Sequence, residues 1–113
     1  MEATVRHVGD VSVVDVRGKI TLGDGDMVLR QRVSELLERK PPYILLNLAQ
    51  VSYMDSCGLV ELISCQRRAR KSKAEIKLLS PSPKVGRLLE MTRLDQVFET
   101  FRDEKEAVGS FLA

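Results

Sequence analysis

Between Thr4 and Thr21 the apolar positions fall in two β-branched runs, Val5 to Val8 and Val11 to Val16, broken by Gly9 and Asp10. Two such runs joined by a glycine-containing pair predict a β-hairpin. The period then changes. From Asp24 to Lys40, Leu29, Val33, Leu36 and Leu37 recur at i, i+4, i+7 and i+8, while Arg30, Arg32, Glu35, Glu38 and Arg39 take the other faces. This predicts an amphipathic helix halted by Pro41 and Pro42. Tyr43 to Leu48 is a nearly continuous apolar run, the pattern of a strand covered on both faces in a parallel sheet. A second helix is expected from about Cys57 to Lys71, with Leu59, Leu62, Ile63, Gln66 and Ala69 along one face. Glu75 to Leu79 reads as a strand, and Pro81 and Pro83 turn the chain into a third helix carrying Val85, Leu88, Leu89 and Met91. Val97 to Phe101 alternates as a last short strand, and Asp103 with Glu106 marks the start of a closing helix through Leu112.

The order β-β-α-β-α-β-α-β-α places the chain in the α/β class, with a mixed sheet opened by a β-hairpin and followed by alternating helices. With 113 residues and no repeat, low-complexity stretch or linker, residues 1–113 are expected to form one domain, too small for a large substrate cleft of its own. No run approaches the ~18 apolar residues of a membrane span, and Met1-Glu2-Ala3-Thr4 lacks the layout of a signal peptide, so a cytoplasmic protein is expected. The 18 Lys and Arg against 16 Asp and Glu leave a net charge of only +2, too mild to argue for nucleic acid or an anionic membrane. Cys57 and Cys65 on one helix would stand roughly 12 Å apart along its axis, too far for a disulfide.

In α/β sheets, functional groups gather where strands end and helices begin. One such junction is Gly18 to Asp26. Gly23 and Gly25 begin a dinucleotide fingerprint, but Val28 stands at the third glycine position and Asp24 and Asp26 would repel a pyrophosphate. A turn with an Asp helix cap or an exposed partner-binding loop remains. The other junction is Val51 to Leu59, where small polar residues and a glycine put the Ser56 hydroxyl on an exposed turn within reach of another protein. A phosphate there would add about −1.5 to −2 charges beside Asp55. The alternative is that Asp55 or Ser56 simply caps the helix.

Catalysis by Ser56 or Cys57 would need a base, and the one histidine, His7, lies in the first strand segment. The sequence around Ser56, Met54-Asp55-Ser56-Cys57-Gly58, is not a nucleophile elbow. One histidine and two distant cysteines make no metal site, and Asp24 and Asp26 lack the remaining ligands of a calcium loop. The basic run Arg67, Arg68, Arg70, Lys71 and Lys73 complements the negative end of a helix and has no aromatic residue within it to stack on bases.

The stretch from Leu46-Asn47-Leu48 through Met54-Asp55-Ser56-Cys57-Gly58-Leu59 resembles the STAS domain family, specifically the single-domain anti-sigma factor antagonists (anti-anti-sigma factors) of bacteria. The later stretch Leu78-Leu79-Ser80 through Val85, Leu88, Leu94, Val97 and Phe98 follows the same family's spacing. The resemblance implies partner switching: the unmodified antagonist binds an anti-sigma factor, itself a GHKL-type serine kinase, and frees the sigma factor. The kinase then phosphorylates the serine after the Asp, here Ser56, and a PP2C-type phosphatase resets it. Thr21, Asp24 and Asp26, with Met54, Asp55, Cys57, Gly58 and Leu59, would form the partner surface. No catalytic residue, metal or cofactor is implied. Cys57 replaces the usual Ser or Thr, Val60 a frequent second Gly, and Thr21 a common Asp. The rival roles are a non-phosphorylated STAS adaptor of a transporter or signalling assembly and a small Ser/Cys hydrolase.

Overall fold

The computed structural model describes residues 1–112. Strands β1 (Glu2–Val8) and β2 (Val11–Ile20) form the expected hairpin, with Val8 opposite Val11 and Gly9 at φ +61° in the turn. β2 then runs parallel to β3 (Tyr43–Met54), β3 to β4 (Ile76–Leu79) and β4 to β5 (Thr100–Phe101), giving the strand order β1-β2-β3-β4-β5. The crossovers are α1 (Gly25–Leu36), α2 (Ser56–Lys71) and α3 (Pro83–Met91), the last followed by a 3₁₀ turn at Leu94–Gln96, and α4 (Glu104–Ser110) closes the chain. Each parallel crossover advances the sheet in the same direction, so a constant hand places α1, α2 and α3 on one face. α4 covers the other.

The strand period divides the core accordingly. Val14 and Val16 of β2 join Leu29 and Val33 of α1, Leu62 and Cys65 of α2, and Val85 and Leu89 of α3 in the larger cluster. Val11 and Val13, offset by one residue, meet Leu45, Leu79 and Ala107 under α4. Ion pairs and polar bonds flank the smaller cluster. Arg6 of β1 binds Asp15 of β2 at 2.7 Å and reaches Glu104 at the start of α4. These bonds hold both carboxyls below the usual carboxylate range. Lys77 of β4, nearly buried, donates to Ser110 Oγ at 2.9 Å and lies over the Phe111 ring.

Several element boundaries depart from the sequence expectation: β2 continues past Val16 to Ile20, and α4 ends at Ser110, short of Leu112. α1 ends at Leu36, short of Lys40, with Leu37 as its C-cap. The last strand is only Thr100–Phe101, because Leu94–Gln96 turns as 3₁₀ and Phe98 turns into the core. β3 continues six residues beyond Leu48, through Met54. α2 begins at Ser56, and its buried stripe is Gly58, Glu61, Leu62, Cys65, Gln66 and Ala69, with Leu59 and Ile63 only half covered.

Two polar side chains in that stripe hold α2 in place. Gln66 donates to the carbonyls of Ile76 and Val97, both at 3.1 Å, and accepts from the Ile76 amide at 2.8 Å. Glu61, only 3% exposed, is gripped by Arg30 of α1 at 2.8 Å and by Arg68 at 3.2 Å. A buried carboxylate requires such partners, since an unpaired one would carry a penalty of several kcal/mol. Burial also pushes the neighbouring Cys65 thiol up to about 12, so it remains protonated.

At Gly58 the first turn of α2 lies against the end of β2. A methyl group there would lie 2.3 Å from the Ile20 carbonyl oxygen and 2.8 Å from Met54 Cγ. Gly58→Ala is therefore expected to destabilise the protein by about 2 kcal/mol through overpacking. Gly109→Ala in α4, where the added methyl meets nothing within 4 Å, should stabilise it by roughly 0.5 kcal/mol. Urea denaturation of the two variants tests the contrast, and a Gly58→Ala chain as stable as the parent would refute the steric limit.

Candidate functional site

The parallel strands β2 and β3 end together at the pair Ile20–Met54, and α1 and α2 begin immediately beyond it. Both helices can approach because each presents a glycine. At Gly25 a methyl would come within 2.4 Å of the Lys19 carbonyl, and at Gly58 within 2.3 Å of the Ile20 carbonyl. Two helix N-termini consequently lie side by side at one end of the sheet. Their first N–H groups lack intrahelical partners, and the carboxylates of Asp26 and Asp55 accept from some of them.

Asp55 ties the junction together. Its backbone amide donates to the Ile20 carbonyl at 3.3 Å. One carboxylate oxygen caps α2 by accepting from the Gly58 amide at 2.9 Å, and the other accepts from the Leu22 amide at 3.1 Å. Those backbone bonds, that from Gly58 foremost, hold the carboxyl below its usual value. The loop of the first junction is fastened separately. Asp26 Oδ1 accepts from the amides of Gly23 at 2.9 Å and Met27 at 2.8 Å, while the Thr21 carbonyl accepts from the Asp26 amide at 3.2 Å. Asp24 occupies the N-cap position of α1 without a side-chain cap bond, and its carboxylate accepts from the Met1 amine at 3.3 Å.

Each candidate residue from the sequence thus has a defined place. Asp55, rather than Ser56, caps α2, which leaves the exposed Ser56 hydroxyl uncommitted to that role. Cys57 is half-buried, Gly58 and Met54 are buried beneath, and Leu59 is half-covered on the flank. Thr21 and Asp24 belong to the neighbouring loop, joined to Asp55 through Leu22, and Asp26 lies in the first turn of α1. His7 lies elsewhere. It pairs across the hairpin with Ser12, eight residues along β2 from Ile20, which is about 26 Å at the rise of a strand. No base reaches Ser56 or Cys57 from there.

An apolar surface around Ser56 was not apparent in the sequence. Leu22 (71% exposed), Met27 (60%), Tyr53 (45%), Val60 (61%) and Met91 (75%) all surround this end. Leu22 touches Asp55, Val60 lies one helical turn beyond Ser56, and Met27 is in the first turn of α1. Between the start of α2 and α3 runs a groove of about 590 Å³, lined by Tyr53, Ser56, Leu59, Leu88 and Met91 and bordered by Lys84 and Arg87. The basic run, by contrast, is partly spent on structure. Arg68 holds Glu61, and Arg70 binds Glu75 at 3.3 Å and the Val97 carbonyl at 3.0 Å.

The cap supplies a pH test. Because the Asp55 carboxyl is held below its value of about 3.9 in the unfolded chain, its contribution to stability is complete above about pH 5 and shrinks as pH falls through the folded-state value. Asp55→Asn is expected to be less stable than the parent near neutrality, with the gap narrowing below about pH 4. Denaturant melts across that range check it, and a gap independent of pH would rule out an ionised cap.

Comparison with known proteins places this architecture. A profile of the STAS domain matches residues 2–107. The anti-sigma F factor antagonist of Paenibacillus polymyxa is 25% identical over 108 residues, covering 96% of this chain and 92% of that protein. The anti-sigma-B factor antagonist of Listeria monocytogenes is 30% identical over 92 residues, covering 78% of this chain and 81% of the relative. The crystal structure of an anti-sigma factor antagonist from Mycobacterium paratuberculosis superposes with a TM-score of 0.83 at 24% identity, over 96% of this chain and 92% of that one. With the hairpin-opened mixed sheet, the paired helix starts and the matched span all in agreement, the chain belongs to the STAS domain family.

Proposed function

We propose that residues 1–113 act as one STAS domain whose role is that of an anti-sigma factor antagonist, a binding module without catalysis of its own. The unmodified protein docks an anti-sigma factor that is a GHKL-type serine kinase, using the end of the sheet that carries Ser56, and the sigma factor is released. The observation that carries this reading is the exposed Ser56 hydroxyl, free of the capping role, within a surface of exposed Leu22, Met27, Tyr53, Val60 and Met91. Apolar exposure concentrated at one end of a sheet marks surfaces that another protein covers. Relatives named as anti-sigma factor antagonists, matched over most of the chain, support the same partner class. Among the described residues, no helix is long and apolar enough to cross a membrane.

In the switching step, Ser56 Oγ attacks the γ-phosphorus of ATP held by the kinase. The bond to the β-phosphate oxygen breaks, ADP leaves, and the hydroxyl proton passes to a base on the kinase. The product carries a near-dianion next to Asp55, whose carboxylate is already ionised and fixed by two amides. Burying both against a partner costs repulsion and desolvation. A penalty of roughly 3 kcal/mol would weaken binding about a hundredfold. A PP2C-type phosphatase hydrolyses the ester and restores the hydroxyl. Thr21, Asp24 and Asp26, together with Met54, Asp55, Cys57, Gly58 and Leu59, shape the docking face.

Calorimetric titration of the cognate anti-sigma kinase tests this reading. Ser56→Ala is expected to bind about as tightly as the parent and to accept no phosphate, whereas the phosphorylated parent binds about a hundredfold more weakly. Phosphorylation mapped to another residue, or equal affinity of the phosphorylated and unmodified forms, would overturn it.

A further inference from the structure

We infer that Lys84 and Arg87 of α3 form the receptor within this chain for the phosphoryl group on Ser56, so that the modified serine is held across the groove between α2 and α3. This rests on Ser56 being the modified residue. Lys84 and Arg87 line the same groove as Ser56. They are three residues apart on one helix and so share a face. Among the described residues neither makes an ion pair or a side-chain hydrogen bond, unlike Arg6, Arg30, Arg68, Arg70 and Lys77. The one carboxylate lining the groove, that of Asp55, is taken up by the Gly58 and Leu22 amides.

The position of α3 is itself fixed. Ser82, immediately before the helix, donates its hydroxyl to the Val51 carbonyl at 2.7 Å, anchoring the start of α3 to the strand that leads to Ser56. Val85 and Leu89 are buried on the inner face of α3. The two cations are thus long, flexible side chains on a firmly seated base. A phosphoserine offers three strong acceptor oxygens, a match for a guanidinium fork and an ammonium. Their attraction offsets the repulsion from Asp55 inside the free protein.

The test uses the full chain with phosphoserine installed at position 56 during translation, so that no kinase is needed. Phosphorus NMR then follows the second ionisation of the phosphate in the parent and in a Lys84→Gln, Arg87→Gln double variant. The helix terminus is common to both, so the difference isolates the two cations. The expected result is an ionisation at least about half a pH unit lower in the parent than in the variant, with the gap closing at high salt. A Lys84→Arg, Arg87→Lys exchange should retain most of the shift. Coincident titration curves for parent and double variant, both folded by circular dichroism, would overturn the capture while leaving the switch intact. Undiminished binding of the phosphoserine protein to the anti-sigma kinase would overturn the switch while leaving the titration result to stand.

Discussion

The structure depends on a close approach that only hydrogen permits. Two successive carbonyls at the end of β2, those of Lys19 and Ile20, face the first turns of α1 and α2, and Gly25 and Gly58 are the residues presented to them. Larger residues would move the helices outward and separate their N-termini. With glycines in place, the helix starts converge, the Asp55 carboxylate can span from α2 to the Leu22 amide, and the loop after β2 is fixed to the helix after β3. The exposed serine is a consequence of this packing. Because Asp55 supplies the cap, the next side chain is displayed without a backbone duty.

The order of elements and the mixed sheet were legible in the sequence because their signals are local: β-branched runs, helical periodicity and prolines. The second half of β3 was not. Ile44 to Asn47 pair on both sides, with β2 and β4, and belong to the nearly continuous apolar run from Tyr43 to Leu48. Beyond Asn47 β4 has ended, so Gln50, Val51, Tyr53 and Met54 pair with β2 alone, and the register slips between Asp15 and Arg17 and again between Gly18 and Lys19. The second slip leaves Ser52 and Tyr53 both exposed between buried Val51 and Met54, a spacing that mimics a polar connection. Glu61 was hidden for a different reason. A glutamate on a helical wheel defaults to the solvent side, and its burial depends on Arg30 from another helix, a contact that periodicity within one helix does not encode.

At the site, local chemistry singled out a junction that the structure places at one end of the sheet, but not its surroundings. The junction from Asp55 to Gly58 carried its own signature of capping residue, hydroxyl and glycine. The surface formed by Leu22, Met27, Tyr53, Val60 and Met91 comes from five separate places in the chain, each unremarkable alone. Only the folded sheet end gathers them. The groove to α3 is of the same kind, since Lys84 and Arg87 are brought beside Ser56 by the Ser82 anchor and the apolar seat of the helix. Charge, apolar exposure and the exposed Ser56 hydroxyl thus meet in one region, while the ion pairs of buried Glu61 and of half-buried Arg6 serve cohesion elsewhere.

Because β2, β3 and β4 are parallel, the chain also has a second end with a different character. The Gly9–Asp10 turn and the passage from Leu37 to Pro42 lie at the starts of the strands, opposite Ser56. Gly9 and Asp10 are exposed, and a side chain at Gly9 would meet nothing within 4 Å. This turn is therefore a place where the polypeptide can be lengthened with the Ser56 end untouched: a reporter or affinity handle spliced between the first two strands would project away from the proposed docking face.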